Sequence, residues 1–334
     1  MSQNDILLEV EDLRTVFDTS EGAVRAVDGV DVTVRRGECL GVVGESGSGK
    51  SVTFSSVMGL VRAPGRIAGG RIRFDGRDLI GLGPRDMRAI RGRDISMTMQ
   101  DALTALNPAL TVGEQLAEML NAHDEDLPAR GGARRRAIRE KSVEMLRLVG
   151  IPSPDSRLGQ YPHEFSGGMR QRIMIAIALA PGPKLLIADE PTTALDVTIQ
   201  AQVLELISDI RARLGMSVVL ITHDLGVVAE HCDRVMVMYA GQVVEEGATV
   251  DVIANPRHPY TRGLLASIPR LSMRGQPIRP IEGQVPNLVG LPPQCRFYSR
   301  CPERMDSCLQ TVAMRPAGPG RRARCIAIAE EAVA

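Results

Sequence analysis

The stretch Gly44-Glu45-Ser46-Gly47-Ser48-Gly49-Lys50-Ser51 has the spacing G-x-x-x-x-G-K-S, the pattern of a phosphate-binding loop. The chemistry dictates the residue types. Glycines let backbone N–H groups turn toward an anion with no Cβ in the way. A helix that follows adds a partial positive charge and N–H donors at its N-terminus. Lys50 is expected to reach the β- and γ-phosphates of a nucleotide, and the Ser51 hydroxyl to bind Mg²⁺. The context agrees. The apolar run Cys39-Leu40-Gly41-Val42-Val43 predicts a buried strand before the loop, and residues 52–60 predict a helix after it.

Further candidates stand along the chain. Leu185-Leu186-Ile187-Ala188-Asp189-Glu190 predicts a buried strand that ends in two carboxylates. Asp189 is placed to hold Mg²⁺, and Glu190 to polarise the water that attacks a γ-phosphate. His223 follows a predicted strand over 217–222 and could reach the same phosphate. Ser166-Gly167-Gly168 precedes an apolar helix predicted over 173–180, a second anion-binding design. Gln100 ends a predicted strand over 95–99, where a neutral amide can contact Mg²⁺ or the attacking water. Phe17 lies on a predicted strand over 6–17, from which its ring could stack on adenine. An ordinary strand aromatic would read the same way.

These residues need a scaffold, and the chain is long enough for one. Its 334 residues allow two domains, or one large domain with an appendage. Residues 24–34 predict a strand pairing with 6–17. Residues 69–76 predict another strand, 111–159 a mostly helical region, and 234–239 with 242–246 a hairpin. Thr111 with Glu114 three positions on reads as a capping box. Lys plus Arg and Asp plus Glu both number 40. That balance argues against a nucleic-acid partner, which calls for a basic excess. No apolar run reaches the roughly 18 residues of a membrane span, and the polar, acidic start is unlike a signal peptide. A cytoplasmic location is expected, with any membrane role exercised through a partner.

In order, the loop, Gln100, Ser166-Gly167-Gly168, Asp189-Glu190 with Asp196, and His223 resemble the ATP-binding subunit of ATP-binding cassette transporters over about residues 7–255. The resemblance implies a P-loop α/β core: a mixed sheet with helices, an antiparallel β subdomain and a helical subdomain at about 101–165. It implies ATP and Mg²⁺ as ligands, with Ser51, Gln100 and Asp189 toward the metal. Lys50 and Ser51 would be the Walker A pair, Asp189 and Glu190 the Walker B aspartate and catalytic base, and Gln100 the Q-loop glutamine. Asp196 would be the D-loop aspartate, His223 the switch histidine and Phe17 the adenine-stacking aromatic. Ser166, Gly167 and Gly168 would bind the γ-phosphate held by an opposite subunit. Met169 departs from the glutamine common at that place.

The tail narrows the family. His258-Pro259-Tyr260-Thr261-Arg262-Gly263-Leu264-Leu265 and the region beyond resemble the C-terminal extension of dipeptide/oligopeptide permease ATPases of the D type. This implies a domain at 1–255 and an extension at 256–334. It also implies a second, F-type ATPase subunit, two membrane-spanning permease subunits, an extracytoplasmic peptide-binding protein and a place at the cytoplasmic face of the membrane. Nickel or another small solute is the competing cargo. A soluble relative acting on DNA is disfavoured by the short helical insert.

Four of the six cysteines fall in the tail as Cys295-x5-Cys301-x6-Cys308-x16-Cys325. Four thiolates can hold zinc or an iron–sulfur cluster, and the lack of C-x-x-C knuckles tilts the reading toward iron–sulfur. Metal-free thiols are the third alternative. The resemblance implies a [4Fe–4S] cluster. The Pro- and Gly-rich segment from Pro277 is expected to build little core of its own. Arg321, Arg322 and Arg324 are expected either to counter a cluster's charge or to be solvated.

Overall fold

Alternating burial shapes the N-terminal part of the chain. In β1 (Ile6–Thr19) Leu8, Val10 and Leu13 are buried, and in β2 (Gly22–Arg35) Val30, Val32 and Val34 are buried. One face of the hairpin is thus apolar, the pattern of a sheet solvated on its other face. β3 (Cys39–Val43) is buried throughout and leads into the loop and the helix Lys50–Val57. β4 (Gly65–Phe74) pairs antiparallel with β1, and the short β5 (Arg77–Asp78) completes a sheet of order β2-β1-β4-β5. A computed structural model describes residues 5–99, 105–193, 195–268 and 280–330 of the chain. It divides into two units, Met1–Gly81 with Leu220–Ala334, and Leu82–Val219.

In the second unit β6 (Ile95–Thr98) pairs in parallel with β7 (Leu185–Asp189), Ile95 opposite Leu185 and Thr98 opposite Ala188. Helices Val112–His123, Gly131–Leu148 and Gly167–Leu179 pack on one another. They bury Leu116, Leu120, Leu146, Ile173 and Ile175. The capping box forms as expected: Thr111 Oγ1 accepts from Glu114 N at 3.2 Å, and Glu114 Oε2 accepts from Thr111 N at 2.7 Å. Replacing Thr111 by Ala is expected to lower stability by about 1 kcal/mol. A shifted denaturant midpoint with an unchanged slope is the expected readout, and an unshifted midpoint would show that the cap contributes nothing.

β8 (Ser217–Thr222) is buried throughout, and the division between the units falls within it. β9 (Arg234–Tyr239) and β10 (Gln242–Ala248) form the expected hairpin across Ala240-Gly241. β9 pairs in parallel with β3, from Leu40 opposite Arg234 to Val43 opposite Val237. β11 (Arg315–Gly318) and β12 (Arg321–Ala323) extend this side in the order β11-β12-β10-β9-β3.

The tail builds more core than its composition suggests. Phe297, Val312, Ala317, Ala323 and Ile328 are all buried. The Phe297 ring lies 5.2 Å from Tyr239 and 5.4 Å from Tyr260, centroid to centroid, within the range of favourable aromatic pairing. Among the described residues no helix is long and apolar enough to cross a membrane.

Candidate functional site

The buried strand β3 delivers the loop, and the turn into the helix is made at Gly49. Its φ of +98° is one that residues with a Cβ rarely adopt, and an added Cβ would stand 2.4 Å from Ala26 O. The helix therefore begins at Lys50, two positions before the predicted start, and no side chain caps it. By contrast Ser166, Asp196 and Asp224 each cap the helix that follows them. An uncapped N-terminus behind a glycine cradle suits an anion, whose oxygens satisfy the first-turn N–H groups.

Within the loop Lys50 is 5% exposed, and its ammonium donates to Gly44 O at 2.7 Å and Glu45 O at 3.0 Å. Ser48 N donates to Glu45 O at 3.2 Å, and Ser48 O accepts from Gly241 N at 2.9 Å. Ser46 and Gly47 form the exposed tip, and Ser51 is exposed on the first helical turn. Lys50, Ser51 and the loop amides thus fit a nucleotide's phosphates with Mg²⁺. In the same unit Phe17 stands opposite Gly65 in the sheet, its ring over that glycine's open face. His223 is exposed immediately after β8.

The second unit holds the carboxylates. Asp189 is the buried last residue of β7, and Glu190 has left the strand with φ +45°. A non-glycine residue in that region carries strain of about 1–3 kcal/mol, a feature that clusters at functional sites. Thr193 Oγ1 donates to Glu190 Oε2 at 2.9 Å, an orienting contact with no signal in the sequence pattern. Ser166 caps the helix Gly167–Leu179, accepting from Met169 N at 3.4 Å. That helix starts six positions before the predicted Ile173, because the Ser-Gly-Gly turn is already its cap and first residues. A Cβ on Gly168 would meet Ile199 Cγ2 at 2.6 Å, so glycine here lets the helix approach its neighbour Val197–Leu214. Asp196 caps that neighbour, accepting from Ile199 N at 2.9 Å. Gln100 lies outside the described residues.

The four-cysteine metal site is overturned. Cys295, Cys301, Cys308 and Cys325 line one small cavity with His258 and Phe297. Among the described residues, however, no group of three or more His, Cys, Asp or Glu side chains could hold a metal ion. Burial pushes the Cys295 thiol up to about 11, and raises Cys301 and Cys325 as well. Neither an iron–sulfur cluster nor zinc is assigned. The neighbouring arginines are neither counter-charges nor solvated as a group. Arg321 pairs with buried Glu245, Arg322 with Glu246, and Arg324 donates to Val243 O and Val312 O.

Two residues at the loop were not foreseen as site residues. Tyr260 Oη accepts from Glu45 N at 2.9 Å, and Arg300 holds both Glu45 carboxylate oxygens, at 2.6 and 3.0 Å. Tyr260 is positioned in turn by His258, whose Nδ1 accepts from Tyr260 N at 3.0 Å. Burial pushes His258 down to about 3, which leaves the ring neutral and its Nδ1 free to accept.

The ABC transporter family model matches residues 27–193, and the model for the oligopeptide/dipeptide transporter C-terminal region matches residues 244–308. The chain is 53% identical over 303 residues to the dipeptide transport ATP-binding protein DppD of Bacillus subtilis, covering 90% of this chain and 88% of that protein. It is 49% identical over 327 residues to the oligopeptide transport ATP-binding protein OppD of Salmonella typhimurium, covering 98% and 95%. Among solved structures, the dimeric bacterial ABC transporter cassette MJ0796 aligns with a TM-score of 0.64 at 26% identity, over 73% of this chain and 99% of that one. The cbiO1 subunit of the Clostridium perfringens cbiONQ transporter complex aligns with a TM-score of 0.63 at 28% identity, over 75% and 92%.

Proposed function

The chain belongs to the ABC transporter ATPase family, and from that premise we propose that it is the ATP-hydrolysing subunit of an importer for di- or oligopeptides. One observation carries the reading: a single chain joins the phosphate loop to the oligopeptide/dipeptide transporter C-terminal region. In this reading residues 1–255 form the ATPase domain and 256–334 the extension. The chain sits at the cytoplasmic face of the membrane beneath two permease subunits, beside a second, F-type ATPase, and an extracytoplasmic binding protein supplies the peptide.

The residues divide the work of phosphoryl transfer to water. The loop amides of residues 44–51 and Lys50 bind and orient the triphosphate, and Phe17 stacks on the base. Ser51, Asp189 and Gln100 would hold Mg²⁺, which when bound would neutralise charge on the phosphate oxygens. Glu190, oriented by Thr193, accepts a proton from the attacking water, and His223 donates a hydrogen bond to the γ-phosphate. Ser166, Gly167 and Gly168 present the Ser166 hydroxyl and glycine backbone N–H groups to the γ-phosphate on the partner ATPase, and Asp196 lines the same junction. The site is therefore complete only in the closed pair, and hydrolysis reopens it.

The test is reconstitution of the complete complex in proteoliposomes, with ATP inside the equivalent of the cytoplasmic compartment. Labelled di- and tripeptide uptake should require ATP and the binding protein, and peptide should stimulate hydrolysis. Uptake of nickel without uptake of peptide would overturn the peptide assignment while leaving the ATPase in place.

A further inference from the structure

The phosphate loop carries an acid, Glu45, directly after its first glycine. Glu45 is the second residue of a loop built to bind a polyanion, and a bare carboxylate there repels the phosphates it helps to cradle. The structure supplies the compensation from the far end of the chain. We propose that Arg300 is a positioning residue of the nucleotide site: it neutralises Glu45 and holds it, so that the loop is set in its phosphate-binding form before nucleotide arrives. The proposal rests on the loop being a nucleotide site.

The contacts support both halves of that role. Arg300 grips the Glu45 carboxylate with two nitrogens, at 2.6 and 3.0 Å. Paired forks of this kind are the stronger class of charged hydrogen bond. The Arg300 side chain is 4% exposed and the Glu45 side chain 29%, so solvent screens the pair less than it does two fully exposed partners. The guanidinium is itself fixed. Nε donates to Glu282 O at 2.9 Å, Nη2 to Ile281 O at 3.1 Å, and the group lies 5.7 Å from the centre of the Tyr239 ring.

Glu45 is in turn held at every polar group it has. Its carboxylate is on Arg300, its N–H on Tyr260 Oη, and its carbonyl on Lys50 Nζ and Ser48 N. A shift at Glu45 is therefore a shift of an acceptor for the Lys50 ammonium. A second grip comes from the same segment. Arg296 binds Asp28 and Ala240 O, and the adjoining Gly241 N donates to Ser48 O at 2.9 Å. A loop of glycines and serines is costly to order when free. Fixing it in advance removes that cost from nucleotide binding.

Neutralisation and mere support of the fold differ in one respect: only the first is undone by removing the acid. The experiment measures Mg-ATP affinity of the full chain by calorimetry for the parent, Arg300→Gln, and Arg300→Gln combined with Glu45→Gln. Arg300→Gln should weaken binding about tenfold, within the usual range for coupled charged partners. The double variant should recover to within about threefold of the parent. Parental affinity in Arg300→Gln, or a double variant no better than the single one, overturns the proposal. Should Arg300→Gln fail to fold, Arg300→Lys keeps the charge and one contact. Its affinity is expected to stay within about threefold of the parent, and a loss of tenfold or more, with the charge still in place, overturns the proposal. A parent chain that binds no nucleotide refutes the nucleotide reading itself, an outcome distinct from parental affinity in the Arg300 variants.

Discussion

Glu190→Gln should retain Mg-ATP binding and lose hydrolysis by a factor of about 10²–10⁴, the range for removing a positioned general base. The substitution isolates the proton-accepting step because so little else changes. Glu190 sits at φ +45°, and glutamine tolerates that turn as well or as poorly as glutamate does. Thr193 Oγ1, which now donates to Glu190 Oε2 at 2.9 Å, can donate equally to an amide oxygen. What disappears is a group able to take a proton from water at neutral pH. Single-turnover hydrolysis in the assembled complex reads the chemical step, and equilibrium nucleotide binding reads the site. Hydrolysis at the parental rate would remove Glu190 from the base role. Loss of binding along with turnover would mean that the carboxylate supports the turn, and that the step lies elsewhere.

The parts of this protein that were legible in its sequence are those whose signal is local. The loop spacing, the buried runs of β3, β7 and β8, and the Thr111 capping box each lie within a few consecutive residues, and each forms where expected. Tyr260 and Arg300 stand 215 and 255 positions from Glu45, so no periodicity could pair them. The available signal was chemical: an acid in an anion-binding loop calls for a cation. The cysteine tail shows the converse failure. The fold brings the four thiols to one cavity, but ligation depends on the geometry of the group, which spacing does not carry. The arginines beside Cys325 were read as counter-charges or as solvated, whereas Arg321 and Arg322 pair with Glu245 and Glu246 and Arg324 donates to backbone carbonyls. Glu190 was assigned its role from the motif, while its left-handed backbone and its contact to Thr193 appear only in three dimensions.

Gly49→Ala should weaken nucleotide binding by about 10- to 100-fold, the equivalent of the roughly 1–3 kcal/mol that overpacking costs. Two effects act at Gly49, and Gly47 separates them. Both residues have positive φ, +98° at Gly49 and +76° at Gly47, so alanine is strained at either place. At Gly47 nothing stands within 4 Å of an added Cβ, and the cost is backbone strain alone, of order 1–2 kcal/mol. At Gly49 the Cβ would also stand 2.4 Å from Ala26 O and 3.3 Å from Gly241 Cα. Both are backbone atoms, which cannot swing aside as a side chain would. The loop must move, and it is anchored on either side of the clash: Gly241 N holds Ser48 O, and Thr53 N holds Gly49 O, each at 2.9 Å. Relief therefore displaces Lys50 and Ser51, the first residues of the helix. Calorimetric titration with Mg-ATP on both variants gives the comparison. A larger loss in Gly49→Ala than in Gly47→Ala assigns the difference to close backbone approach beneath the phosphates. Equal losses would mean that positive φ alone restricts these positions, and that the contact with Ala26 yields without disturbing the site.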